Sequence, residues 1–362
     1  MKTTSSTAAP SISVTPVALE GNPEYNGHKG AFKIADTETG LRGYIAIHNT
    51  NRGPAIGGTR CWRYATEEEA LRDVLRLSRA MTYKCAIADV PYGGAKGVII
   101  LTKETPKSDE LLAAYARAVG LLPEPFYTGE DVGLDRHDLE VLEKHLGTMV
   151  GHPEISGMPA EWASLSVFYA MEEALSAVSG TSSFEGKTVA VKGLGGVGMG
   201  LCDLLAEKGA RLKGADVNPE RVALARKRHP DIEIVPSERI HAERADIYSP
   251  CALGDEFNEK TVSELSSKIV CGGANNQLHA AEDGKRLHER GILYIPDYLA
   301  NAGGLISVSD ELHEGGWSRD RVAEKTLDIK KTVREVIDRS RVEDAPTSVV
   351  TDEIAENRFL SR

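Results

Sequence analysis

KTVAVKGLGGVGMGLCDLLAEKGARLKGAD, residues 187–216, decides the architecture of the chain around it. Thr188 to Lys192 is a short run rich in β-branched residues. The glycine turn Gly193-Leu194-Gly195-Gly196-Val197-Gly198 follows it, and apolar residues at helical spacing run from Val197 to Lys208. A second short run, Arg211 to Asp216, ends on an acid. Strand, glycine turn, helix, strand and acid in this order predict a parallel sheet with helical crossovers. G-x-G-x-x-G is a weak pattern by itself, and a tight turn without ligand is its bland reading. Here the glycines allow close backbone approach, the helix N-terminus faces a pyrophosphate, and Asp216, about 20 residues on, can accept hydrogen bonds from ribose hydroxyls. The expected ligand is a dinucleotide. A carboxylate at 216 repels a 2′-phosphate and favours NAD over NADP, with Arg221 nearby weighing the other way.

Working outward, DIEIV, DIYSP, KIVCGG and ILYIP continue the strand alternation downstream, and Pro159 to Val178 is a helix upstream. Ser318 to Ile337 reads as one long polar helix that packs back on the first domain. Nearer the N-terminus, AFKIADTETGLRGYIAIH before residue 49 has two alternating apolar runs around a Thr-Gly turn, which predicts a hairpin. TEEEALRDVLRLSRAM, residues 66–81, opens with the capping-box pair Thr66 and Glu69 and is a helix. Ser108 to Leu121 and Asp135 to Leu146 are helical by period and bracket the loop FYTGEDVG. The expected fold is α/β in two domains, an N-terminal α/β substrate domain and a C-terminal Rossmann-type NAD-binding domain. The boundaries expected are a flexible tail over 1–24, a substrate-binding and catalytic domain over 25–158, the Rossmann domain over 159–325 and a C-terminal helical segment over 326–362.

At 362 residues the chain exceeds what one core usually serves, in line with two domains. A net charge of −11 opposes a polyanion footprint, so no nucleic acid is expected. No stretch approaches the roughly 18 uninterrupted apolar residues of a membrane span. Met1 to Pro16 is rich in Thr, Ser, Ala and Pro, and reads as a loose tail, not a signal peptide. The five cysteines, Cys61, Cys85, Cys202, Cys251 and Cys271, are scattered and read as reduced thiols of a cytoplasmic protein. The histidines lack ligand spacing, and no metal is expected.

Two lysines keep unusual company. Lys84 in MTYK follows the helix just described, and Lys96 lies in what reads as the turn PYGGAKG. A lysine near apolar groups or another cation has its ammonium disfavoured and can exchange protons. The bland alternative for both is a surface lysine. Asp131, between glycines in GEDVG, is either a proton relay beside a lysine or an N-cap or turn carboxylate.

GPAIGGTRCW (53–62), RAMTYKCA (79–86), PYGGAKGVII (91–100), TGEDVG (128–133), GLGGVG (193–198), SPCALG (249–254), GGANNQL (272–278) and PDYLANAGG (296–304) occur together and in order. That succession resembles the glutamate, leucine, phenylalanine and valine dehydrogenase family, most closely its leucine and phenylalanine branch. The resemblance implies two domains separated by a cleft, and NAD-linked interconversion of an amino acid with a 2-oxo acid and ammonia by a homo-oligomer. It implies that Lys84 pairs with the substrate α-carboxylate, assisted by Asn276. Lys96 would be the general base, and Asp131 would exchange protons with imine and carbinolamine intermediates. The cofactor would lie on Gly193, Gly195, Gly196, Val197, Gly198, Asp216, Val217, Cys251, Ala252, Ala274 and Asn275.

Glutamate-specific members carry a lysine and a serine where this chain has Ile56 and Val308. Ile56, Gly57, Gly129, Leu305 and Val308 therefore suggest an apolar side-chain pocket, or in part core packing, and an unpaired carboxylate there would be disfavoured. Leucine, valine, phenylalanine and tryptophan all stay open. One departure stands out: Ala160-Glu161-Trp162-Ala163-Ser164 replaces a Ser-Pro-x-Thr segment, putting Ala163 where the family threonine contacts the nicotinamide amide. The competing readings are an imine reductase, a dehydrogenase for a polar amino acid, and a catalytically silent nucleotide-binding homologue.

Overall fold

Residues 11–361 are described by a computed structural model, in which two units separate: 11–86 with 91–151, and 87–90 with 152–361. The first is built in the order β1 (Ile12–Pro16), β2 (Gly30–Asp36), β3 (Arg42–Asn49), β4 (Ala55–Trp62), α1 (Glu67–Ile87), β5 (Gly93–Ile100), α2 (Asp109–Val119), β6 (Phe126–Gly129) and α3 (Arg136–Glu143). Its six-stranded sheet runs β1-β2-β3-β5-β4-β6. Neighbours are antiparallel from β1 to β5, while β4 pairs parallel with β5 and β6. Strand alternation gives each face its own core. Ile45 and Ile47 of β3 pack with Leu112 of α2 and Leu142 of α3, whereas Tyr44 and Ala46 pack with Ala70 and Val74 of α1.

Several expectations change here. Ile12–Pro16, expected inside a loose tail, is an edge strand paired with β2, because Ile12 and Val14 alternate onto the core. Residues 1–10 of that tail lie outside the described residues. Thr66 caps α1 as expected, accepting from the Glu69 N–H at 3.1 Å, while Glu69 accepts from the Ala65 N–H at 3.0 Å. The helix continues past Met81 to Ile87 because its last turn is buried, and Lys84 lies inside it. PYGGAKG is not a turn: from Gly93 the chain is a fully buried central strand. Its glycines answer close approaches, since a Cβ at Gly94 would lie 2.1 Å from Thr82 N of α1 and one at Gly97 would lie 2.0 Å from the Tyr115 hydroxyl of α2. The loop before Asp131 likewise begins as a strand, β6, parallel to β4.

The second unit runs α4 (Pro153–Ser156), α5 (Pro159–Ser179), β7 (Thr188–Lys192), α6 (Gly196–Glu207), β8 (Arg211–Ala215), α7 (Pro219–Arg228), β9 (Glu233–Ile234), β10 (Ile247–Pro250), α8 (Glu259–Glu264), β11 (Ile269–Cys271), α9 (Ala281–Glu289), β12 (Leu293–Ile295), α10 (Asp297–Ala300), α11 (Gly303–Asp310), α12 (Arg319–Leu327), α13 (Ile329–Glu343) and α14 (Thr347–Leu360). All strands of its sheet are parallel, in the order β12-β11-β10-β7-β8-β9. The chain starts centrally at β7, builds one way to β9, then returns to build the other way from β10. This is the Rossmann order, and the reversal leaves a crevice at the carboxyl ends of β7 and β10. Helix α5 packs against α6, α11 and α13.

The long helix expected over 318–337 divides at Asp328 into α12 and α13, and α14 follows. Residues 326–361, expected to return to the first domain, belong to the second unit: α13 packs on α5 and α14 on β12. The cause is the stripe Ile329, Val333, Val336 and Ile337, buried at helical spacing. None of the described helices is long and apolar enough to cross a membrane.

Candidate active site

On β5, Val98 and Ile100 face α1, and Lys96, of the same parity, leaves the sheet on that face. Its side chain is 6% exposed and its ammonium donates to Asp131 Oδ2 at 2.5 Å. Asp131 is brought there by β6 and the loop after it, which is held by the Cys61 N–H donating to Val132 O at 2.9 Å. The other oxygen, Oδ1, accepts from Arg60 Nε at 2.9 Å and from the Val132 N–H at 2.8 Å. Burial pushes the Asp131 carboxyl up, yet the charges and hydrogen bonds of Lys96 and Arg60 outweigh it and hold the group below the usual carboxylate range. Arg60 also donates to Asp73 Oδ2 at 3.0 Å, and that oxygen accepts from the Tyr64 hydroxyl at 2.6 Å.

Lys84 sits half-buried in the last turn of α1, two residues beyond Thr82 where the helix touches Gly94; Lys96 is two residues beyond Gly94 on the strand. The fold thus brings Lys96 and Asp131 together in the first unit, and places Lys84 on the helix that covers the same face of β5. Arg60, Asp73 and Tyr64 escaped the sequence reading. Arg60 stood in the quoted GGTRCW motif, but its pairing depends on strand register and on α1 crossing behind it, which no local pattern carries.

In the second unit the glycine turn lies at the sheet's crevice. Gly193 has φ +95°, and a Cβ there would lie 2.7 Å from Ala252 N; one at Gly198 would lie 1.8 Å from Gly193 O. Gly195 is the N-cap of α6 with no side-chain cap, so the helix start offers backbone N–H groups toward an anion, and these residues fit a dinucleotide pyrophosphate. Cys251 Sγ accepts from the Gly273 N–H at 3.4 Å, and Val197 packs against Gly273. Ala274 is buried with its N–H donating to Pro250 O at 2.9 Å. Asp216 accepts from the Leu194 N–H at 2.7 Å and the Asn218 N–H at 2.8 Å, bracing the turn, with Arg221 3.7 Å away. Val217 beside it is exposed, as is Gly196.

Asn275 and Asn276 are exposed; Asn275 Oδ1 accepts from Asn301 Nδ2 at 2.7 Å, and Asn276, with φ +53°, donates its N–H to Asp297. Leu305 and Val308 are half-buried on one side of α11. In the first unit Gly57 and Gly129 lie on neighbouring strands, and Ile56 is 1% exposed, a packed side chain. At the departure, Ser164 is committed elsewhere: its hydroxyl lies 2.7 Å from Ala160 O and 2.9 Å from Val197 O, joining α5 to α6. Glu161 is paired with Arg319 at 2.6 Å, and the Arg319 guanidinium lies over the Trp162 ring.

Residues 29–154 match the family model of the Glu/Leu/Phe/Val dehydrogenase dimerisation domain, and residues 156–219 and 216–356 match that of Glutamate/Leucine/Phenylalanine/Valine dehydrogenase. The chain is 40% identical to leucine dehydrogenase of Bacillus subtilis, over 90% of this chain and 89% of that one. It is 40% identical to phenylalanine dehydrogenase of Thermoactinomyces intermedius, over 92% of each. Among solved structures it is similar to L-tryptophan dehydrogenase from Nostoc punctiforme, with TM-score 0.82 and 35% identity over 92% of this chain and 96% of that one. With both halves matched by the family models and relatives 40% identical over nine-tenths of its length, the chain belongs to the glutamate/leucine/phenylalanine/valine dehydrogenase family.

Proposed function

We propose that this chain catalyses the NAD-linked oxidative deamination of an L-amino acid with an apolar side chain to the 2-oxo acid and ammonia, and the reverse reductive amination. The observation that carries the reading is the buried Lys96–Asp131 pair, an ammonium 6% exposed and 2.5 Å from a carboxylate, a costly burial of charge that a role in proton transfer explains. Lys84 pairs with the α-carboxylate, with Asn276 assisting. Lys96, when neutral, takes a proton from the substrate amine or from attacking water, and Asp131 exchanges protons with the imine and carbinolamine. Leu305 and Val308 offer an apolar side chain its surroundings, and a glutamate carboxylate against them would lose hydration without a partner.

Gly193, Gly195, Gly196, Val197 and Gly198, with Cys251, Ala252, Ala274 and Asn275, hold the cofactor, and Asp216 with Val217 receives its adenosine end. Bound there, NAD supplies the hydride acceptor for the substrate α-carbon. The Asp216 carboxylate supports NAD over NADP because it would repel a 2′-phosphate, with Arg221, 3.7 Å from it, weighing the other way. The protein works as a homo-oligomer, supported by the dimerisation description of the model matched over 29–154, and in the cytoplasm, supported by five free cysteines. Glu161, the charged residue of the departed segment, already has Arg319 as partner and so lends no support to a polar substrate.

The test follows absorbance of reduced nicotinamide with a panel of L-amino acids, NAD and then NADP, beside Lys96→Ala. Turnover is expected with leucine, valine, phenylalanine or tryptophan and NAD, and its loss in Lys96→Ala. NAD binding without turnover of any amino acid, or of any oxo acid with ammonia, would overturn the proposal; turnover with alkylamines in place of ammonia would favour imine reduction.

A further inference from the structure

We propose that Arg60 is a positioning residue for this reaction, acting through Asp131: it fixes one carboxylate oxygen and returns the carboxylate to its ionised form between the proton exchanges that Asp131 makes with the intermediates. The inference rests on the role given to Lys96 above. Arg60 of β4 pairs in register with Val98 of β5, two residues from Lys96, so both cations leave the sheet on the same face and meet at Asp131. The two carboxylate oxygens then have separate duties. Oδ1 is occupied by fixed donors, Arg60 Nε and the Val132 N–H, while Oδ2 receives the Lys96 ammonium.

The consequence appears when Lys96 is neutral, as a general base must be. A buried carboxylate whose only cation has been lost favours its protonated form. It would keep a proton taken from an intermediate, and the pair could not begin the next exchange. A guanidinium does not deprotonate, so Arg60 supplies a constant charge that returns Asp131 to the carboxylate after each exchange. Asp73 of α1, to which the Tyr64 hydroxyl donates, holds the far end of Arg60 and leaves its Nε aimed at Asp131. The charged groups bearing on Asp131 are thus Lys96 from β5, Arg60 from β4 with Asp73 and Tyr64 behind it, and Glu130 on its own loop. The Glu130 carboxyl is raised by burial and by Asp131.

The experiment uses the full-length protein and Arg60→Gln, Arg60→Lys and Asp73→Asn variants. The protonated carboxyl of Asp131 is followed by infrared difference against Asp131→Asn, together with the pH profiles of kcat and KM for the amino acid that the wild type turns over. In Arg60→Gln, Asp131 is expected to protonate about 1 to 3 pH units higher than in the wild type. The acid limb of kcat moves the same way, with KM changed less than about twofold, as befits a group that does not bind substrate. Arg60→Lys, which keeps a charge but lacks the planar fork, falls between, and it carries the test if Arg60→Gln fails to fold. Asp73→Asn disturbs the same corner while leaving Arg60 on Asp131, and its onset stays at or below that of the wild type. An unmoved titration in both Arg60 variants, or an equal rise in Asp73→Asn, would overturn the proposal. Absence of turnover in the unsubstituted protein would instead overturn the function on which it rests, and the infrared titration separates the two failures.

Discussion

His48 illustrates how a single side chain ties stability to pH. Its Nδ1 lies 2.9 Å from Thr82 Oγ1 on α1 and its Nε2 lies 2.9 Å from Asn26 O, and its ring meets His28 edge-on. Burial, followed by the neighbouring His28, lowers its pKa from 6.5 to about 4. The folded state therefore favours the neutral ring, while the unfolded chain binds a proton from its ordinary value downward. Stability is fully present above 6.5, declines as pH falls through that window and is lost below about 4, at up to about 1.4 kcal/mol for each pH unit. Urea unfolding of His48→Gln between these limits should show a shallower dependence on pH than the wild type, and an equal slope would discount the assignment. At this scale the sequence was partly legible. Lys96 and Asp131 stood out by their glycine surroundings and Lys84 by its place at the end of a helix, whereas Arg60 and His48 did not, because their roles come from partners far away in the chain.

Among elements, the glycine turn before α6 was legible in full because strand, turn and helix are contiguous. The strand β5 was not, since its glycines mimic a turn while serving contacts with α1 on one face and α2 on the other. Alternation cannot show a strand that is buried throughout. The same distinction governs substitution. In Gly198→Ala the new methyl would fall 1.8 Å from Gly193 O, so the turn must open. We expect NAD to bind at least about 10-fold more weakly, equivalent to about 1.4 kcal/mol, by titration of protein fluorescence. Unchanged binding in a folded Gly198→Ala protein would remove this turn from the cofactor site.

For the whole molecule, the two units differ in what each carries: the first holds Lys84, Lys96 and Asp131, the second the glycine turn before α6. A second domain was legible from the strand, glycine turn and helix alternation that begins at residue 187, while the limit expected at 158 falls at 151 and the C-terminal helices side with the second unit. That grouping came from packing of α13 on α5, which periodicity alone does not address to a partner. NAD at about 100 times its Kd should stabilise the protein by about 2.7 kcal/mol. Hydrogen exchange should show the slowed amides concentrated within 152–361, and protection confined to 91–151 would contradict the assignment of the cofactor to the second unit.

Helix α5 carries α6, with the cofactor turn, on one flank and α11, with Leu305 and Val308, on another. Ser164 fastens it to the first, and Trp162 lies against the start of the second, where a Cβ on Gly303 would strike its carbonyl oxygen at 2.0 Å. In evolutionary terms the Ala160 to Ser164 segment is pleiotropic. A substitution there shifts the seat of α6, through Ser164, and the seat of α11, through Trp162, in the same step.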